Sequence, residues 1–218
     1  MTPRLPSRER QRELIDAAIE LAATCGPGDI STAALAARVG ISQGAVFRHF
    51  DSKEALWVAV VDEVHRGLFV QLDLASQRAG RRSMDRLQAV FLAHAAYVVA
   101  HPGVPRILFH ELQRTQETPV KARVRLLLQE YRLRILGWLQ AAMDEGDLPA
   151  GLDMRAAAVL FIGALQGLVM QALFTGDLAQ VSVLAPRVHA LWWSGLSSTV
   201  EHLENHQDRP QWVQELLA

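Results

Sequence analysis

The sequence predicts an all-α protein in two parts: a three-helix N-terminal domain over residues 1–64 that contains a helix-turn-helix, and a larger C-terminal helical bundle over 65–218. Three observations predict it. Apolar residues recur at helical spacing, first as Leu14, Ile15, Ala18, Leu21 and Ala22. Residues 32–56 read as a short helix, a glycine turn, a second short helix, an aromatic stop at Phe50 and the capped start of a further helix. Glycine and proline breaks then divide the remainder into long helical segments, and nothing reads as a strand.

The first helix covers 7–25 and ends at the Gly26–Asp29 loop. The second and third cover 31–38 and 42–48. Leu35, Ala36 and Val39 give the second a buried face. Gly40 stands where the chain must reverse, a left-handed position that glycine takes without steric cost. Ile41 inserts between the helices, Ser42 caps the third, and Val46 and Phe47 face the core. Gln43, Ala45, Arg48 and His49 are left facing outward. This arrangement is the one that lays its second helix in a DNA major groove.

The fourth helix starts after Ser52 and runs to about Gln77 with Leu56, Val60, Val64 and Leu68 inward. The domain boundary falls inside it, near Val64, so a rigid helix rather than a loose linker joins the parts. Further helices are expected over 83–100, 104–114, 119–145, 153–175 and 185–204, with a short one after Pro210.

The string Gly40–Ile41–Ser42, Gly44, Phe47, His49–Phe50, Ser52–Lys53–Glu54 and Leu56, set between these helices, resembles the signature of the TetR family of bacterial transcriptional regulators, with residues 8–64 similar to its DNA-binding domain. The resemblance implies an all-helical homodimer whose C-terminal bundles dimerise and enclose a small-molecule pocket, ligand binding changing the spacing of the two reading heads. Two positions depart from the family pattern. Phe47 stands where a tyrosine is usual, which keeps the ring but loses a hydroxyl able to bond a phosphate, and Gln43 stands where a lysine is common.

Geometry and resemblance together nominate the DNA contacts. Thr32 opens the second helix and suits a phosphate; Ser42, Gln43 and Ala45 lie early on the recognition helix. Gln43 can bond an adenine edge and Ala45 can touch a thymine methyl. Phe47, Arg48, His49 and Lys53 complete the set, and Arg4 and Arg8 belong to an arm that reaches a neighbouring minor groove.

Net charge is −1, so bulk basicity is not the binding device. The first 53 residues carry seven Arg/Lys (4, 8, 10, 12, 38, 48, 53) against six acids (9, 13, 16, 20, 29, 51). Placement must supply the phosphate contacts, which predicts specific binding with a moderate salt dependence. Cys25 is the only cysteine, read as a small apolar residue closing the first helix. The absence of a disulfide pair and of an apolar N-terminal run fits a cytoplasmic protein. No HExxH, G-x-S-x-G, phosphate loop or zinc-type cysteine pair is present, so no enzyme, cofactor or metal is expected.

Residues 156–176 contain no charge and include a GxxxG spacing. A membrane span is the alternative, but Gln166 and Gln171 favour a helix buried between its own bundle and a partner subunit. Gly163, Ala164 and Gly167, with Val188, Leu191, Trp192, Gly195, Leu196 and Thr199, form the expected homodimer interface. The pocket candidates are Phe91, His94, Tyr97, His101, Phe109, Trp138, Phe161, Gln166 and Met170, around a small hydrophobic effector. The function read from this is a repressor released from a palindromic operator by that effector. The alternative is a DNA-bound scaffold that recruits a protein partner without a small-molecule ligand.

Overall fold

A computed structural model describes residues 7–203, with side chains through Leu196. Nine α-helices and a single 3-10 turn make up the described residues, with no strand among them. They are α1 (Ser7–Ala22), α2 (Thr32–Arg38), α3 (Gln43–Val46), α4 (Lys53–Arg78), α5 (Ser83–Ala100), α6 (Gly103–Gln113), α7 (Pro119–Asp144), α8 (Met154–Thr175) and α9 (Ala179–Leu203). The expected terminal helix lies outside the described residues.

Side-chain caps set most helix starts, because the first N–H groups of a helix have no partner within it. Ser31 Oγ accepts from Ala34 N at 3.1 Å, Ser52 Oγ from Ala55 N at 3.0 Å and Thr118 Oγ1 from Lys121 N at 3.0 Å. Asp153 Oδ1 accepts from both Arg155 N and Ala156 N. Gly40 has φ +70°, and Ile41 N donates back to Ala36 O at 2.9 Å, a six-to-one closure that reverses the chain after α2.

Three expectations are corrected. α1 stops at Ala22, and the exposed Cys25 lies in the turn beyond it rather than closing the helix. α9 begins at Ala179, before the expected start at 185. Asp177 Oδ1 accepts from Ala179 N, and Pro186 is tolerated inside the helix at the cost of one backbone bond.

Two apolar cores meet along α4. Leu56, Val60 and Val61 join Leu14, Ala18, Leu35, Ala36, Val46 and Phe50 in the N-terminal core. Val64, Leu68, Phe69 and Leu72 belong to the core shared with α5, α7, α8 and α9. Ile107 of α6 and Val120 and Val124 of α7 also enter the N-terminal core, so the two halves interlock at more than the shared helix. An ionic seam ties α4 to α7. His65 Nε2 donates to Glu130 at 2.8 Å, Arg134 bonds both Glu130 and Asp73, and its guanidinium lies 4.4 Å over the Phe69 ring. Burial tends to raise the Glu130 carboxyl, but bonds from Arg134 and His65 outweigh it and hold the group low.

α8 is long and apolar enough to cross a membrane. One face of it, with Phe161, Leu165, Leu168, Val169 and Ala172, is buried in the bundle.

Candidate nucleic-acid interface and bundle cavity

α3 is a single turn, and neighbouring elements hold it at both ends. At its start, Gln43 Nε2 donates to Thr32 Oγ1 at 2.9 Å. Thr32 is the first residue of α2 and is 9% exposed, so the bond joins an exposed side chain to a buried one. At its end, Gln11 Nε2 donates to His49 O at 2.8 Å, and Ser7 Oγ shares a 3.2 Å bond with His49 Nδ1. Val46 and Phe50 anchor the turn in the N-terminal core. Arg10, itself buried, bonds Glu13 and Val39 O and so fastens α1 to the reversal between α2 and α3.

Ser42, Gln43 and Arg48 are exposed, and Ala45, His49 and Lys53 are half-buried. Arg8 is exposed on the first turn of α1, while Arg4 lies outside the described residues. Two local expectations are corrected. Ser42 has the backbone of a helix cap, but its hydroxyl bonds no α3 N–H; its carbonyl accepts from Ala45 N instead. Phe47 is 47% exposed rather than core. Helical spacing stops applying after Val46, where the chain leaves α3 through turns that close at His49 and Phe50, so Phe47 swings outward.

The bundle forms a partly open cavity of about 60 Å³. α5 lines it with His94, Tyr97 and Val98, α6 with Val104, Pro105, Leu108 and Phe109, α7 with Leu127 and Tyr131, and α8 with Ile162, Leu165, Gln166 and Val169. Among the described residues, no charged side chain lines it. His94 Nδ1 and Tyr131 Oη share a 3.0 Å bond. Burial lowers the His94 ring to about 4 and pushes the Tyr131 phenol up. Tyr131 is not among the residues that the sequence nominates for the pocket. The available signal was a phenol on the apolar stripe Val124, Leu127, Tyr131, Ile135, since a buried tyrosine hydroxyl needs a partner.

The other pocket candidates lie elsewhere. Phe91 and Phe161 meet edge to face at 5.1 Å and form an aromatic cluster with His189 and Trp192. Trp138 is half-buried against the bundle core, and Met170 points outward. The His101 ring lies tilted against Tyr97, centroids 4.5 Å apart, in an open groove of about 680 Å³ between α1, α4 and α5. Asp16, Glu20 and Glu63 also line that groove; burial, reinforced by Glu63, raises the Asp16 carboxyl. His94, His101 and His110 thus sit in three separate surroundings, His110 lying against Gly28.

On the outer face of α8, Val159, Leu160, Gly163, Gly167, Met170 and Phe174 are exposed, Phe174 by 88%. Ala164 is half-buried. On α9, Leu191 is 73% exposed, Gly195 is exposed and Val188 is half-buried. Trp192 and Leu196, expected at a dimer interface, are buried within their own chain. Trp192 Nε1 donates to Ala157 O at 3.2 Å, which fixes the ring inward. The side chain of Thr199 lies outside the described residues.

Residues 14–60 match the family of bacterial regulatory proteins, tetR family, and residues 83–185 match the tetracyclin repressor-like C-terminal domain. A nucleoid occlusion factor, SlmA of Pectobacterium carotovorum subsp. carotovorum, is 29% identical over 139 residues, spanning 58% of this chain and 70% of that protein. Among solved structures, the transcriptional regulator FadR of Bacillus subtilis in complex with stearoyl-CoA superposes with a TM-score of 0.75 at 20% identity, covering 84% of this chain and 98% of that one. FadR of Bacillus halodurans, a fatty acid degradation regulator, gives 0.76 at 20% identity over 89% and 98%.

Proposed function

The chain belongs to the TetR family of DNA-binding transcriptional regulators, and from that premise we propose that it acts in the cytoplasm as a homodimeric repressor that reads a palindromic operator and releases it on binding a small apolar effector. The observation that carries the reading is the single-turn recognition helix. It is anchored inward by Val46 and Phe50 while Ser42, Gln43, Phe47 and Arg48 stay exposed, the division a groove-reading helix needs. Phosphate contacts fall to Arg8, Arg48, His49 and Lys53, and base contacts to Gln43 and Ala45, while the buried Thr32 hydroxyl is engaged by the Gln43 amide. The apolar stripe of α8, with Leu191 and Gly195 of α9, is the surface for the second copy, its small residues allowing close helix approach.

The effector belongs in the cavity beside His94, Tyr131 and Gln166. With no charged side chain in its wall and His94 neutral at physiological pH, the cavity suits an uncharged molecule with one hydrogen-bonding group. At about 60 Å³ it must widen to admit a drug-sized ligand. That small volume, and relatives named as nucleoid occlusion factors, support the second reading, a DNA-bound scaffold that recruits a protein.

The test is a binding selection on genomic fragments at near-physiological salt, followed by a release assay on the recovered site. Recovery of one palindromic sequence, released by neutral apolar compounds and not by their carboxylate analogues, is the expected result. A palindrome that no small molecule releases favours the scaffold. A selection that enriches nothing sinks the DNA-reading function.

A further inference from the structure

We infer that Thr32 is a specificity-determining residue that acts through Gln43, holding the Gln43 carboxamide ready for one base pair; this rests on the DNA-reading function proposed above. Gln43 is an exposed, flexible side chain on a helix of one turn, which supplies little support of its own. The structure nevertheless fixes its amide, with Nε2 donating to Thr32 Oγ1 at 2.9 Å. Thr32 is a firm anchor. It is 9% exposed on α2, next to the buried Leu35 and Ala36, and its distance to α3 is set by the closed turn at Gly40.

The bond consumes one of the two amide protons. The other N–H and the carbonyl oxygen Oε1 remain, and together they match the N7 acceptor and N6 donor of adenine. Ordering a free glutamine costs entropy, and that cost arises only where its amide is used. At a non-cognate base the amide makes no paired contact, and its order brings no gain. Thr32 therefore favours the cognate base over others, rather than DNA over no DNA.

This separates Thr32 from a residue that only touches a phosphate or only supports α2. In vitro selections from a random duplex library, run in parallel with the full-length wild type, Thr32→Val, Thr32→Ser and Gln43→Ala, make the distinction. They are followed by titrations of the enriched duplex and its single-base variants, with thermal melts confirming that each variant is folded. Gln43→Ala identifies the base pair that Gln43 reads. At that base pair Thr32→Val loses about two- to twelvefold in discrimination, the range for immobilising one flexible side chain. Its preferences elsewhere in the site are unchanged, Thr32→Ser retains the wild-type preference, and the double variant Thr32→Val/Gln43→Ala loses no more than Gln43→Ala alone. An equal loss of affinity on every sequence by Thr32→Val, or an unchanged preference at that base pair, overturns the inference while leaving the DNA-reading function intact. A wild-type protein that enriches no sequence overturns both.

Discussion

Gly103 lies so close to Ile19 that a Cβ on the glycine would stand 2.0 Å from the Ile19 carbonyl oxygen and 3.0 Å from the Ala23 nitrogen. α6 therefore starts in direct backbone contact with α1. Its neighbours Val104, Pro105, Leu108 and Phe109 line the bundle cavity, while Ile107 enters the N-terminal core. One short helix thus touches the cavity and the DNA-reading half. Gly103→Ala has no way to fit without separating α6 from α1, because the obstacle is backbone and cannot rotate aside. We expect a loss of about 1–3 kcal/mol in denaturant unfolding, the usual cost of overpacking. A variant with an unchanged midpoint and slope would contradict the close contact.

Acid should weaken the fold through two histidines. Burial lowers both His94 and His189 from 6.5 to about 4. Between those values the unfolded chain holds protons that the folded chain refuses, so stability is complete above pH 6.5 and falls as the pH drops toward 4. Each histidine withdraws up to about 1.4 kcal/mol per pH unit over that interval. His189 is 4% exposed among Phe91, Phe161 and Trp192, and its Nε2 has no hydrogen-bond partner among the described residues. His189→Leu removes an orphaned polar atom from an apolar cluster at similar volume, so it should stabilise the protein by about 1 kcal/mol at pH 7. The gain should widen at pH 5. Melting curves across pH 4–8 measure both effects, and an acid limb as steep in the variant as in the wild type would remove His189 from the account.

How much of this was legible in the sequence depended on whether local chemistry or tertiary packing decided the outcome. Ser52 and Asp153 were readable as helix starts because a cap is a contact over two or three residues. Gly40 and Gly176, both at positive φ, were readable because few other residues take that backbone without strain. Phe47 faces outward against the expectation from spacing, because a one-turn helix is too short for spacing to assign a face. Phe91 and Phe161 read as pocket residues because an aromatic ring on a buried stripe carries no sign of whether it meets a cavity or another ring; here they meet each other. Trp192 reads from spacing alone as a residue facing a partner subunit, and only the fold reveals that its indole reaches the Ala157 carbonyl, 35 residues away in the same chain. The Thr32–Gln43 bond, across a turn, was equally hidden.

If α8 and α9 carry the second copy, a charge on their outer face should split the dimer and spare the subunit. Phe174 is 88% exposed and Leu191 73%, so neither supports its own core. Phe174→Glu or Leu191→Glu should shift the mass measured by light scattering toward one chain, while helical content and melting temperature stay near wild type. Operator affinity should fall with the dimer, because two reading heads no longer bind as a unit. A variant that remains dimeric places the interface on another face.

Phe47 offers a gain rather than a loss. It is 47% exposed beside Arg48, at the position where the family pattern that this sequence resembles has a tyrosine. Because the ring stands in solvent and not in the core, the hydroxyl added by Phe47→Tyr costs no packing and buries no unpaired polar atom. It gains a donor that reaches a phosphate whenever α3 sits in the groove. One such bond is worth about 0.5–1.5 kcal/mol, so affinity should rise about two- to twelvefold. The rise should be the same for cognate and scrambled duplexes, since a phosphate carries no sequence information. Titrations of both duplexes with wild type and variant decide it. A gain confined to the cognate duplex would mean that position 47 reads a base edge, and no gain at all would place the ring away from the DNA backbone.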